Sequence, residues 1–474
     1  MLLKKRCREI TIGIGLSFFL GGCAAVTGHQ QSLNTFDKEL LSNKCEYTSI
    51  QEKIDDEDDT LLWGIQGGSL ARNCNNYKKS NEYFDLAESK YKDNVDKDSA
   101  LDNVGESASS VLVNNNINDY EGNVYEKIMV NTYKALNFTA LKDYSNARIE
   151  FNRALDRQRR AKDFFDKEIK EKNKKNSEFI AKKKEEQSKA QKNQKVANKN
   201  EVKKDFENNA GQKIIYKNFA NVLDNFETYP DFINPFTTYM SGIYFLLVDD
   251  SKKARELLKE SLKMDPTNKQ IQSDFQLSEK YVAIGKNKPN ENYAWIIYEN
   301  GQGMSKKETR IDIPLFLFTG AMQYTGIAFP KIEERNDSYK YLNVNGAKTQ
   351  EVCNMDNVIK TEFKKRFPLV VTEAILNTVV KSTAQYALNE HGGLIAGIAG
   401  SIYQAMTNKA DVRSWTALPK SFHSVRIKLT GEPIVIKNDK DEVLKTLKLP
   451  ENKNAIIYVK SPVIGNDKIH EIIF

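Results

Sequence analysis

The sequence has few of the side chains that hydrolytic and metal-dependent enzymes place in their active sites. It contains four histidines and five cysteines in 474 residues, with no HExxH motif and no Cys-x-x-Cys pair. It also lacks the GxSxG turn of serine hydrolases and the glycine-rich loop that binds nucleotide phosphates. We therefore expect no catalytic residue, no metal and no cofactor. A carboxylate pair for glycan cleavage stays open, because glutamates are plentiful.

A hydrophobic run long enough to cross a bilayer is missing near the start of the chain. The apolar stretch from Ile10 to Leu20 is about half as long as a membrane-spanning helix. Four basic residues precede it, namely Lys4, Lys5, Arg6 and Arg8. A basic segment followed by a short apolar run predicts an export signal and not a membrane helix.

The apolar run ends in Leu-Gly-Gly-Cys at 20–23, which resembles the lipobox of bacterial lipoproteins. The resemblance implies that the signal at 1–22 is cleaved and that Cys23 carries acyl chains, which anchor stably when there are two or more. Ala24 stands where an aspartate would resemble an inner-membrane retention signal, so we expect the outer membrane, on its periplasmic side, with the cell surface as the alternative. An ordinary secretory signal with a chance cysteine is the alternative.

Positive charge is concentrated in one segment. The chain carries a net charge of +7, and residues 166–205 alone hold 14 lysines against 8 acidic residues. The rest of the chain is therefore close to neutral. A folded basic face for nucleic acid is not predicted.

The same lysine-rich segment, taken as 166–206, reads as an insertion. It has no glycine or proline, and its apolar residues are too few to bury a face. We predict a solvated helical hairpin or a partly disordered arm, and expect that a short linker replacing 168–204 leaves the fold intact. An electrostatic contact with anionic lipid or an acidic envelope polymer is its alternative role.

Prolines are rare from 33 to 287, and after a tether at 23–32 this region predicts helices. One spacing of small, aromatic and bulky residues recurs in it three times. The first copy is Gly68, Tyr77, Ser80, Phe84 and Ala87; the second is Ala135, Tyr144, Ala147, Phe151 and Ala154; the third, without the tyrosine, is Gly242, Ala254, Leu258, Ser261 and Pro266.

This spacing resembles the tetratricopeptide repeat, in which small residues let two helices of a hairpin approach and a bulky residue fills the gap. The resemblance implies packing roles for all these positions. It also implies that Pro266 stops the last helix of its copy. A generic helical bundle is the alternative.

In the region 288–474, short apolar strand patterns replace the helical patterns. This region therefore predicts a β-rich α+β domain, and the whole chain is predicted to be α+β. Strand patterns include "YAWIIYENG", "YTGIAFPKI", "HSVRIKLTG" and "NAIIYVKS". A helical stretch at 355–407 interrupts them. Its small-residue run, 392–408, predicts a helix packed in the protein, and insertion into a membrane is the alternative.

Three cysteines remain once Cys7 is cleaved away and Cys23 is acylated. Cys45 and Cys74 both fall in the predicted helical region, and a periplasmic address permits a disulfide between them. Cys353 is then unpaired. Two buried thiols that do not pair are the alternative.

Three stretches resemble an uncharacterised family of bacterial outer-membrane lipoproteins with a tetratricopeptide-like half and a β-rich half. They are "ADVRSWTALP" at 410–419, "WIIYENGQG" and "ALNFTALKDYSNARIEFNRALDRQ". The resemblance covers nearly the whole mature chain, except for the lysine-rich arm, and implies a link with cell-wall synthesis. For Arg413 and Trp415 we expect a structural contact between helices and sheet, with a ligand or partner site as the alternative.

These observations predict a non-enzymatic envelope lipoprotein that binds a protein partner as a scaffold or accessory factor. The expected partners are the lipid bilayer, through acylated Cys23, and an envelope protein. No nucleic acid is expected, and the sequence identifies no small-molecule substrate. A peptidoglycan- or glycan-binding module, or a cell-wall hydrolase, is the alternative.

Overall fold

The computed structural model of the protein describes residues 29–42, 44–57, 59–100, 119–191, 210–223, 229, 232–285, 291–314, 324–374 and 409–474. Cys23, the expected signal and most of the tether lie outside these ranges. The distal part of the lysine-rich arm and the small-residue run at 392–408 also lie outside them. No helix within these ranges has the length and apolar content to cross a bilayer.

Helices occupy the amino-terminal half of the described chain. They are α1 His29–Leu41, α2 Thr48–Asp55, α3 Thr60–Asn73, α4 Tyr77–Ala100, α5 Val124–Ala140, α6 Tyr144–Gln191, α7 Ala210–Leu223, α8 Pro235–Leu247, α9 Ser251–Met264 and α10 Lys269–Ile284. A further helix, α11, covers 355–374. A disulfide joins Cys45 to Cys74, and Cys353 is a buried free thiol.

Strands dominate the carboxy-terminal half, which confirms the predicted α+β class. They are β1 Tyr293–Asn300, β2 Ser305–Pro314, β3 Tyr324–Glu333, β4 Asn343–Val344, β5 Ala347–Lys348, β6 Gln350–Asn354, β7 Ser421–Lys428, β8 Ile434–Lys437, β9 Val443–Leu447, β10 Ala455–Ser461 and β11 Lys468–Ile473. One sheet has the order β11-β10-β1-β7-β6, a second has β5-β4-β8-β9, and β2 pairs with β3.

The five-stranded sheet separates two apolar layers. In β1, Trp295 and Ile297 face the helices, whereas Ala294, Ile296 and Tyr298 face the four-stranded sheet. The parallel neighbour β10 alternates in the same way. Because helices cover one face of these two strands and the four-stranded sheet covers the other, their sequences are continuous apolar runs.

Three helical hairpins, α3–α4, α5–α6 and α8–α9, turn in the same way. Each turn has one residue in the left-handed region, at φ 55° to 65°, namely Asn75, Lys142 and Asp249. The next residue accepts a hydrogen bond from the backbone N–H three positions on, at Asn76, Asp143 and Asp250. This side-chain cap starts the second helix. These positions lie seven and eight residues after Gly68, Ala135 and Gly242.

The predicted packing positions lie where the two helices of each hairpin meet. A Cβ on Gly68 would stand 2.3 Å from the Phe84 ring, and one on Gly242 would stand 2.8 Å from Leu258. The Ser80 hydroxyl donates to the Gly68 carbonyl at 2.7 Å. Buried positions elsewhere in the set are Ala87, Ala135, Ala147, Phe151, Ala154, Ala254 and Ser261.

The remaining three residues of the set lie at helix ends. The Tyr77 ring contacts His470 and the half-buried Tyr144 stacks on Phe474, so both tyrosines contact the last strand or the end of the chain. Pro266 is exposed and follows the end of α9 at Met264.

The lysine-rich arm begins later than predicted. Helix α6 runs without a break from Tyr144 to Gln191, and its stretch to Asn176 packs on the body. Ile169 joins an apolar cluster around Phe165, while Glu168 pairs with Arg366 of α11 at 2.6 Å. The described part of the segment is helical as predicted, and six of its first eleven residues are exposed, but Glu168, Ile169 and Asn176 contact the body. One apolar residue and two ion pairs, Glu168 with Arg366 and Lys172 with Glu121, are too sparse a pattern to detect in a charged sequence.

The helical and β-rich halves share one apolar core. It extends from Leu33 in α1, through Trp415, to Ile472 in β11. The predicted boundary at 287/288 falls between α10 and β1, but residues on both sides of it belong to this one core.

Candidate functional site at the helix–sheet junction

The segment 410–419 has no helix or strand and packs on the helical half. Gln66 of α3 donates to the Ser414 carbonyl and to the Thr416 hydroxyl, both at 3.1 Å. The Thr416 hydroxyl donates to Asp37 of α1 at 2.7 Å. Side chains of two helices thus hold this segment in the manner of a bound peptide.

Trp415 is the centre of this contact and is 1% exposed. Its indole N–H donates to the Ser69 hydroxyl at 2.7 Å, and its backbone N–H donates to Glu126 at 3.0 Å. Its ring meets Phe84 and Tyr133 edge-on, each with 5.7 Å between ring centres. The structure therefore brings together two residues that the sequence singled out separately, the repeat position Phe84 and Trp415.

Arg413 fixes the start of the segment. Its guanidinium donates to Asp59 at 2.7 Å and to the two oxygens of Asp411 at 3.0 and 2.9 Å. Burial opposes the charge on Arg413, but Asp411 and Asp59 raise its pKa above the ordinary value. Ion pairing of this kind positions the segment, which corresponds to the structural role expected for Arg413.

A buried ionic network joins α4, α5 and α6 beside this contact. The Lys134 ammonium lies 2.7 Å from Glu88 and 3.1 Å from Glu150, and Arg157 donates to Glu88 at 2.8 Å. Burial raises the pKa of Glu88, but Arg157 and Lys134 outweigh it and lower that pKa to about 2. Such a network fixes the relative position of the helices only while its partners are complete.

A cavity of about 40 Å³ lies between the helices and the five-stranded sheet. Ser69 and Tyr133, which contact Trp415, form part of its wall. Its wall includes Arg72 of α3, Glu299 of β1 and Lys460 of β10. Burial, reinforced by the charge of Arg72, lowers the pKa of Lys460 to about 7. The cavity thus brings together two basic side chains and one carboxylate between the helices and the sheet.

One serine and one histidine approach each other in the β-rich half. The Ser421 hydroxyl lies 2.9 Å from Nε2 of His423, and both residues are buried. Burial lowers the pKa of His423 to about 4, and Nδ1 has no hydrogen-bond partner among the described residues. A catalytic triad needs an acid on that second nitrogen and an accessible hydroxyl, and this pair has neither.

Sequence reasoning missed Arg72, Glu88, Lys134 and Lys460. Each is a single charged residue in a helix or strand, a pattern shared by most exposed positions. These residues are buried because elements far apart in the sequence pack over them. No local sequence pattern therefore marks them as buried. Among the described residues, no group of three or more histidine, cysteine, aspartate or glutamate side chains is placed to hold a metal ion.

Comparison of the chain with known protein families, curated proteins and solved structures finds no match.

Proposed function

We propose that the chain is a lipid-anchored, non-enzymatic envelope protein, acting as a scaffold or accessory factor at the periplasmic face of the outer membrane. The observation that carries the proposal is Leu-Gly-Gly-Cys at 20–23 after a basic and an apolar segment. Acylated Cys23 would hold the folded body at the bilayer. The disulfide between Cys45 and Cys74 supports export, because disulfides persist in oxidising compartments.

The helical half supports the scaffold part of the proposal. Stacked helical hairpins present long surfaces suited to peptides or helices of other proteins. Here the face at the junction is filled by the segment 410–419, with Trp415 buried in it. The proposed partner therefore meets the outward surfaces of the hairpins. The resemblance to lipoproteins of the cell envelope adds a link with cell-wall synthesis to the proposal.

Crosslinking in intact cells, followed by purification of the chain from membranes, tests the scaffold role. We expect one or a few envelope proteins to be captured at defined ratios. The competing function is glycan binding or cell-wall hydrolysis, so the purified protein is also incubated with isolated peptidoglycan. Turnover of the peptidoglycan, or sedimentation with it in the absence of other proteins, would contradict the proposal.

A further inference from the structure

Arg72 is a buried cation with unused hydrogen-bond donors. Its guanidinium lies between the rings of Tyr133 and Tyr458, at 4.7 and 4.5 Å from their centres. Nη1 donates to Asn137 at 3.1 Å. Nε and Nη2 are buried and make no hydrogen bond to any residue that the structure describes. The nearest carboxylate oxygen, on Glu299, is 3.6 Å from Nη2, which is too far for a hydrogen bond.

Unpaired buried donors of this kind call for a partner, because native proteins satisfy nearly all such groups. Arg72 lies in the wall of the 40 Å³ cavity. A water-sized group needs roughly 10 to 15 Å³, so the cavity has room for about three such groups. A carboxylate has three heavy atoms and matches the planar edge of a guanidinium.

The position of the cavity in the fold is a second observation. It lies at the carboxyl ends of the parallel strands β1 and β10, where Glu299 is opposite Lys460 and Asn300 is opposite Ser461. Residues that follow the two strands, Gly301 and Pro462, complete this side of the wall.

Lys460 gives the cavity its second cationic group and is 5% exposed. Its ammonium donates to the Arg72 carbonyl and lies 3.4 Å from the side-chain oxygen of Asn75. An ammonium has three N–H donors, which leaves one for a ligand. Arg72 and protonated Lys460 outweigh Glu299, so the wall carries a net positive charge.

We propose that this cavity binds a carboxylate group, with Arg72 donating to it and Lys460 supplying the balancing charge. The carboxylate belongs either to a small organic acid or to the carboxyl terminus of a peptide. This binding site is additional to the proposed scaffold function and does not depend on it.

Binding should weaken as the pH rises through the pKa of Lys460. The charged or titratable groups around Lys460 are Arg72 from α3, Tyr77 from α4, Tyr133 from α5, Glu299 from β1, Tyr458 from β10, and Lys468 and His470 from β11. Burial lowers the pKa of His470 and raises those of all three tyrosines. Lys460 is therefore the group whose charge changes between about pH 6 and about pH 8.5.

Acetate is the probe, and acetamide is its neutral control at matched ionic strength. Binding is measured on the full chain by calorimetry and by the NMR signal of the lysine side-chain carbons. We expect saturable one-to-one binding of acetate, at least roughly tenfold tighter than acetamide and roughly tenfold weaker at about pH 8.5 than at about pH 6. Lys460→Met should weaken acetate binding at least roughly tenfold at about pH 6 and remove its pH dependence, because the charge of Lys460 is lost while Arg72 remains. The control Lys445→Met, at an exposed position of β9, should bind as wild type.

A short peptide with a free or amidated carboxyl terminus distinguishes the two sources of carboxylate. Binding of the free form with loss on amidation assigns the site to peptide termini, and binding of acetate alone assigns it to small acids. If Lys460→Met does not fold, the wild-type protein still decides, because acetate must raise the pKa of Lys460. No saturable binding, equal binding of chloride, or an unmoved lysine titration would overturn the proposal and leave a cavity that holds water.

Discussion

At the scale of single residues, the close approach of helices in the hairpins depends on the absence of one side chain. Gly68 faces the Phe84 ring, and an added Cβ would stand 2.3 Å from it. Two effects of Gly68→Ala therefore oppose each other. Alanine favours the helix by about 1 kcal/mol over glycine, but overpacking against a fixed ring costs typically 1 to 3 kcal/mol.

We predict that the clash dominates, because Phe84 is fully buried and touches Tyr133 and Trp415, so it has no free direction to move. Gly68→Ala should lower the free energy of unfolding by about 1 to 2 kcal/mol in urea titrations. Lys78→Ala, at an exposed position of the partner helix, is the control and should change it little. A stabilised Gly68→Ala protein would show that the two helices are farther apart than described.

A second residue-scale prediction concerns acid stability. The pKa of Glu88 is about 2 in the folded protein against an ordinary value of 4.5. A lowered carboxyl pKa stabilises the fold above the ordinary value and loses that contribution as the pH falls towards 2. Linkage puts the contribution at about 3 kcal/mol at neutral pH.

Glu88→Gln should therefore reduce stability at neutral pH and flatten its decline between pH 4.5 and 2. Lys134 and Arg157 would each lose a charged partner, which accounts for the loss at neutral pH. Unfolding titrations across this pH range measure both effects. Glu82→Gln removes an exposed carboxyl from the same helix and should leave the decline unchanged. If the stability of Glu88→Gln fell with decreasing pH as steeply as that of the wild type, Glu88 would not be the cause of the decline.

At the scale of elements, the sequence predicted the helices and strands whose burial leaves a local pattern of residues. Strands β1 and β10 are buried on both faces and therefore appear as continuous apolar runs. The hairpins place small and bulky residues at fixed spacings, which are also recognisable in the sequence. The strands β5, β6 and β9 were missed. They are edge strands, and four of the five residues of β9 are not buried, so none of them carries an apolar run.

The arm gives a prediction at this scale. Its contacts reach Asn176 and include Glu168 with Arg366 and Lys172 with Glu121 at 2.7 Å. Replacing 181–205 by a short flexible linker should keep the melting temperature, because these residues are highly charged and carry little apolar surface. Replacing 168–204 should lower it, since both ion pairs are lost.

Circular dichroism melting of the two deletions, beside wild type, measures the difference. Glu168→Gln in the full-length chain is the matched control for the ion pair to Arg366 and should account for part of the loss. Equal melting of both deletions would show that the stretch from 168 to 176 contributes nothing to the fold.

At the scale of the whole molecule, the site depends on contacts between residues more than 280 positions apart. Trp415 bonds to Ser69 and Glu126, and Gln66 bonds to Ser414. A single sequence contains the residues of such a contact but not their pairing. The expectation of a structural role for Arg413 and Trp415 came from their resemblance to a motif, whereas Arg72 and Lys460 had no motif to mark them.

Trp415 should therefore couple the stability of both halves. Trp415→Ala removes a fully buried ring and should cost about 3 to 5 kcal/mol. Hydrogen exchange measured by mass spectrometry should show α3 and β1 losing protection together. Trp415→Phe keeps a ring against Phe84 and Tyr133 but loses the bond to Ser69, so it should cost about 1 kcal/mol. Loss of protection in one half alone would mean that the halves fold independently.

The central claim is that acylated Cys23 anchors the folded protein to the membrane, and labelling of this residue tests the claim most directly. Cells expressing the wild-type chain or Cys23→Ser are grown with an acyl-chain analogue, and the purified proteins are examined for label and for their first residue. Serine offers no thiolate, which is the nucleophile that the lipid transfer needs. The account predicts a labelled wild-type protein that begins at Cys23, and an unlabelled, uncleaved Cys23→Ser protein. Label retained on Cys23→Ser, or a wild-type chain cleaved elsewhere and unlabelled, would contradict it.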